Sequence, residues 1–216
     1  MAEADAMTGV MPAAATDIRD RLLLADWRRR AAELYVEVRR LAESDPAAAF
    51  AHWRAVRERL FRGHPQSPVP AERRAAFVAR HFPHDPALRF EVDVLPDPAG
   101  TAQAAGEAEL QRLGWAEVPF PVGVRRLAVF WLSGYAGGLF VPFRDATSGT
   151  ETYGGGRYLL DGAKSADLGG DAARGTLVLD FNFAYHPSCA FDPRWSCPLA
   201  PPENWLDIPI RAGERL

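Results

Sequence analysis

The sequence predicts an α+β fold: a mainly antiparallel β-sheet, arranged as a sandwich or partly closed barrel, with two to three N-terminal helices packed on it. Three observations predict it. Apolar residues recur at helical spacing as far as about Phe77, the pattern switches to period two after Leu88, and only short turns separate the strand-like runs that follow. Without long crossovers between them, successive strands must pair antiparallel.

Leu23, Trp27, Leu34, Val38 and Leu41 lie three, four or seven residues apart, which puts them on one stripe of a helix from Thr16 or Leu22 to Glu43. Asp45-Pro46 supplies an N-cap followed by proline at the first helical position. Phe50, Trp53, Val56, Leu60 and Phe61 continue an apolar face until Gly63-His64-Pro65 ends it. Pro70 opens a short third helix carrying Phe77, and HFPHDP breaks the pattern. In RFEVDVL, Phe90, Val92 and Val94 alternate with Arg89, Glu91 and Asp93, as in a strand with one wet face. Residues 96–109 read as a flexible excursion, followed by strands at 115–120, 125–132, 138–143, 151–160, 174–184 and 205–211.

These elements predict a disordered tail over 1–15 and a single domain over 16–216, helical over 16–85 and β-rich over 86–216. Six Trp and twelve Phe supply large side chains for its core. The net charge of −3 argues against nucleic acid as a partner. No run reaches the roughly 18 apolar residues of a membrane span, and the acidic start is unlike a signal peptide, so the expected location is cytoplasmic. Residues 16–80 hold fourteen Arg against nine acidic residues, leaving +5 there and −8 elsewhere. That helical charge reads as local pairing or pairing with the acidic remainder of the fold.

The candidate chemistry lies in the last third. Asp180 and Asn182 fall on one face of the predicted strand GTLVLDFNFAY, about 6.5–7 Å apart, near enough to share a ligand or to form a solvated face. FRDATSGTETYGGGRYLL gathers Asp145, Thr152, Tyr153 and Arg157 around four glycines. There Arg157 could grip a carboxylate or phosphate, or close an ion pair beside a turn. The order DGAKS does not make a phosphate-binding loop. Cys189 and Cys197 lack zinc or redox spacing and read first as structural thiols. With His186 they could make an incomplete metal site or a Cys–His pair, and no particular cofactor is indicated.

PFRDATSG, TYGGGRYL, DFNFAYHPSCAF, CPLAPPEN and the final IRAGE, with the upstream WR, RLFRGHPQSP and FP-D-P segments, resemble bacterial domain-of-unknown-function family 1684. The resemblance spans about Asp26 to Glu214 and implies no reaction. It implies a shared site among its motif residues, including Asp145, Thr152, Tyr153, Arg157, Asp180, Asn182, Tyr185, Cys189, Cys197, Glu203 and Asn204. Where the family pattern usually reads AYNP, this chain has Ala184-Tyr185-His186-Pro187, so a general mechanism for the family cannot depend on His186.

Two functional readings follow. In the first, Arg157 anchors a small anionic ligand, Asp145, Thr152, Tyr153, Tyr185 and Asn204 shape its site, and Asp180, Asn182 or Glu203 orient it or move protons. In the second, the same polar residues form a buried latch, with Arg157 paired to Asp180 or Glu203, in a structural or interaction protein without enzymatic activity.

Overall fold

The computed structural model describes residues 18–100, 102–105, 108–133 and 137–216; the expected tail lies outside them. Two long helices, α1 (Ile18–Ala42) and α2 (Pro46–Gly63), precede a four-residue helix α3 (Ala71–Arg74). Strands follow as β1 (Arg89–Pro96), β2 (Ala102–Ala105), β3 (Ala108–Phe120), β4 (Gly123–Leu132), β5 (Gly138–Phe143), β6 (Arg157–Asp161), β7 (Gly170–Asp171) and β8 (Thr176–Asp180).

All strands join one antiparallel sheet in the order β6-β5-β4-β3-β1-β8-β7, with β2 paired to β3. The sheet curls into a half-barrel, because Tyr158 of β6 exchanges backbone hydrogen bonds of 2.9 and 3.1 Å with Tyr185 just beyond β8. A single curled sheet replaces the sandwich alternative. Phe181 is fully buried at its centre, 5.1 Å from Phe120 and 5.3 Å from Phe143 between ring centroids. Phe183 carries the core outward to Trp53 of α2 at 5.5 Å, which docks the helices on the sheet.

The helices begin and end where local chemistry dictates. Asp45 caps α2 by accepting a 2.9 Å hydrogen bond from the Ala48 amide, with Pro46 following it. Leu34, Tyr35 and Val38 form the buried stripe of α1.

The sheet departs from expectation in five places, one of them the unexpected two-residue strand β7. The excursion over 96–109 contains β2 and the start of β3. The expected strand 151–160 begins only at Arg157, because Thr147 to Gly156 fold into successive turns. Strand 174–184 ends at Asp180, whose carboxylate accepts from the Asn182 amide and bends Phe181–Phe183 into a 3-10 turn. Segment 205–211 is no strand, although Leu206, Ile208 and Ile210 alternate inward. It runs beside Arg144–Ala146 through separate bonds, such as Leu206 N–H to the Arg144 carbonyl at 2.8 Å, and Pro209 has no N–H to extend a ladder.

Asp45→Ala should cost about 1 kcal/mol of stability, while Asp45→Ser retains most of it. Urea unfolding checks this; equal loss in both variants contradicts the assigned cap.

Candidate functional site

Asp145 and Arg157 meet in the interior, each almost without solvent contact. Arg157 leaves its turn at the start of β6 and sends Nη2 to Asp145 Oδ2 and to the Ile210 carbonyl, both at 2.7 Å. Its Nη1 donates to the carbonyls of Ala212 and, at 3.2 Å, Glu214. Asp145 Oδ2 also accepts from the Ile210 amide at 3.0 Å, and Oδ1 from the Thr147 amide and hydroxyl. Thr152 holds that hydroxyl at 2.9 Å. Burial lowers the Arg157 pKa, and Asp145 opposes the shift. The group is a latch over residues 210–214, with Asp145 as the partner of Arg157 in place of the expected Asp180 or Glu203. Gly213 makes the closure possible: its φ is +75°, and a Cβ would lie 2.4 Å from the Ala184 carbonyl oxygen.

Two asparagines substitute for peptide groups. Asn204 accepts from the Ala128 amide at 2.7 Å and donates to the carbonyls of Ala128 and Pro142 at 3.0 and 2.7 Å, tying the C-terminal segment to β4 and β5. Asn182 accepts from the Asp85 amide and donates to the Asp85 carbonyl, each at 2.8 Å. Asp180 pairs with Arg89 at 3.2 Å; burial raises its pKa, against hydrogen bonds from Asn182 and Arg89. Glu203 faces Arg112 at 3.4 Å. Of the catalytic candidates, Asp180 and Asn182 are thus hydrogen-bonded to each other in one structural contact and Glu203 is engaged in another.

His186 and the cysteines are also spoken for. The Tyr153 amide donates to His186 Nε2 at 3.3 Å, so that nitrogen carries a lone pair and the proton sits on Nδ1. Burial depresses His186 to about 4. The Cys189 amide donates to Cys197 Sγ at 3.3 Å, the Tyr153 hydroxyl donates to Cys189 Sγ at 3.7 Å, and both cysteines are free. Burial also pushes the Cys189 thiol up, away from the nucleophilic thiolate. Among the described residues, no three His, Cys, Asp or Glu side chains gather as a metal site.

A cleft of about 300 Å³ opens elsewhere, between α1, α2 and the C-terminal loops. Trp27, Tyr35 and Trp53 form its helical wall, and Tyr185, Trp195 and Cys197 face them. Arg57 sits in this wall with a side chain only 12% exposed, and its Nε donates to Glu214 Oε1 at 2.7 Å. Its guanidinium carbon lies 4.4 Å from the Phe61 ring centre, 4.6 Å from Tyr185 and 5.3 Å from Trp53. Its Nη2 is buried and meets no hydrogen-bond partner among the described residues. Of the residues expected at a site, Tyr185, His186 and Cys197 line this cleft; Asp145, Thr152 and Arg157 do not.

Sequence reasoning missed Arg57, yet a signal was present. It stands four residues after Trp53 and four before Phe61, a charge within the apolar face of α2. A wider depression between the helices is lined by Asp26, Arg30, Glu33 and Arg59, and Asp26 there already pairs with Arg30 at 2.7 Å.

Glu214 links latch and cleft. Burial works to raise its pKa, but Arg57, His186 and His81 outweigh this and hold it at about 2. His81, like His186, is driven by burial to about 4.

Asp145→Asn should destabilise by about 3–5 kcal/mol, because Arg157 loses its buried counter-charge. Denaturant unfolding measures this, and a loss below 1 kcal/mol contradicts the latch. Stability should also fall with acidification. The two histidines, at about 4 when folded against an ordinary 6.5, contribute fully above pH 6.5 and lose that contribution as pH falls toward 4. Glu214, at about 2 against 4.5, contributes above pH 4.5 and loses its contribution toward pH 2. Unfolding free energies from pH 7 to 2 check this, with His186→Asn expected to flatten the part above pH 4; a wild-type profile flat from pH 7 to 4 contradicts the buried, neutral histidines.

A family model described as "Protein of unknown function (DUF1684)" matches residues 78–215, beginning later than the expected Asp26 and leaving α1 and α2 outside the match. The chain is also similar to the solution NMR structure of an uncharacterised protein from Haloarcula marismortui, with 34% identity and a TM-score of 0.57. The alignment covers 76% of this chain and 90% of that one. No curated protein matches. With nearly all of its β-rich part matched, the chain belongs to the DUF1684 family of proteins of unknown function.

Proposed function

We propose that this protein binds a small molecule in the cleft between its N-terminal helices and its C-terminal loops, with Arg57 as the polar anchor. The observation that carries this reading is Arg57 Nη2, a strong donor buried at an aromatic-lined cleft without an acceptor among the described residues. Leaving such a donor unpaired costs about 1–3 kcal/mol or more for a charged group, and a ligand oxygen removes that cost. Six aromatic side chains around the cleft, Trp27, Tyr35, Trp53, Phe61, Tyr185 and Trp195, supply an apolar enclosure. The reading favours binding over catalysis, because His186 is neutral and hydrogen-bonded and the Cys189 thiol is held protonated.

The latch reading describes a different part of the molecule. Arg157, Asn182 and Asn204 spend their hydrogen bonds on backbone and neighbouring carboxylates. Their work is to hold the wall that carries Tyr185 and Glu214, so ligand recognition passes from the expected Arg157 to Arg57.

The six indole N–H signals provide the test. In a small-molecule library followed by ¹H–¹⁵N NMR, binders should shift Trp27, Trp53 and Trp195 while leaving Trp115, Trp131 and Trp205 in place. Arg57→Gln and Trp195→Ala should each weaken those responses at least tenfold. A library that never moves the three cleft indoles, or shifts that survive both substitutions, contradicts the proposal.

A further inference from the structure

Building on the cleft reading, we infer that the ligand is a small aromatic monocarboxylate, of about ten non-hydrogen atoms. Size sets the first limit. A cleft of about 300 Å³ equals about ten water volumes at roughly 30 Å³ each. Walls dominated by indole and phenol rings favour a flat body that can stack or meet a ring edge.

Charge sets the second limit. Three cations line the cleft: Arg28, Arg57 and Lys164. Two of them are already balanced, Arg57 by Glu214 at 2.7 Å and Lys164 by Asp161 at 3.4 Å. Arg28, exposed at the rim, has no ion pair among the described residues. The surplus is therefore one positive charge. A monoanion balances it, a dianion leaves an excess negative charge beside buried Glu214, and a cation adds to the surplus.

Geometry sets the third limit. Arg57 commits Nε to Glu214 and keeps Nη2 for an acceptor, so one guanidinium can bridge a protein carboxylate and a ligand carboxylate. The Phe61 and Tyr185 rings flank that guanidinium and limit where the acceptor can approach. The ligand carboxylate accepts from Arg57, and its ring lies between Trp27 and Trp195, with the enclosed Trp53 behind the wall.

Benzoate, benzamide, phenyl phosphate and benzylammonium vary the charge on one ring, and their affinities can be measured from the cleft indole signals at neutral pH. Benzoate should bind at least tenfold more tightly than the other three. Arg28→Gln, an exposed change that leaves the Arg57–Glu214 pair intact, should weaken benzoate several-fold without altering benzamide. Benzamide or phenyl phosphate binding as tightly as benzoate, or benzoate unaffected by Arg28→Gln, would overturn the monocarboxylate assignment. In those cases the cleft remains a binding site. If none of the four moves Trp27, Trp53 or Trp195 while other library compounds do, the ligand class alone is wrong; if no compound does, the cleft reading fails with it.

Discussion

The buried pairing of Asp145 with Arg157 is the constraint from which the rest of this architecture follows. A charged pair taken out of water persists only if its remaining donors and acceptors are used. Here they are used by the backbone of Ile210, Ala212 and Glu214 and by Thr147. The pair therefore acts less as a source of net stability than as a device that selects one path for the end of the chain. That path delivers the Glu214 side chain to Arg57 and to the His186 amide, each at 2.7 Å. A substitution at the latch should consequently be felt in the cleft through Glu214, without any ligand touching the latch.

The same logic explains why polar motif residues are dense in a region with little regular structure. Segment 205–212 buries Leu206, Ile208 and Ile210 but is not a continuous strand. Its backbone groups, and those of the strands it crosses, need partners that a ladder would otherwise supply. Asn204 provides a surrogate peptide group to Ala128 and Pro142, and Asn182 does so for Asp85. Such residues are positioned by what the backbone lacks. Their chemistry resembles that of a binding site because both tasks require converging hydrogen bonds.

Much of the fold was legible in particular residues. Asp45-Pro46 marked the start of α2, and the alternation of Phe90, Val92 and Val94 marked β1. Asp180 and Asn182 were correctly seen as neighbours, but a cap at the end of β8 joins them, a local competition with the ladder that alternation does not reveal. The partner of Arg157 was hidden because two carboxylates elsewhere in the motifs were equally plausible from sequence, and it is the pairing of β5 with β6, which sets Phe143 opposite Arg157, that brings Asp145 to it. Arg57 was obscured for a different reason. Its helix carries other arginines that face water, and the net charge of the segment conceals the one whose guanidinium lies over both the Trp53 and Phe61 rings. No helix among the described residues is long and apolar enough to cross a membrane.

The cleft and the latch make distinguishable demands on one structure, a crystal of the protein grown with an aromatic carboxylate. The account predicts a carboxylate oxygen within hydrogen-bond distance of Arg57 Nη2, the ring between Trp27 and Trp195, and the Asp145–Arg157 pair intact beneath the tail. A carboxylate bound at Arg157 with residues 210–214 displaced would contradict it.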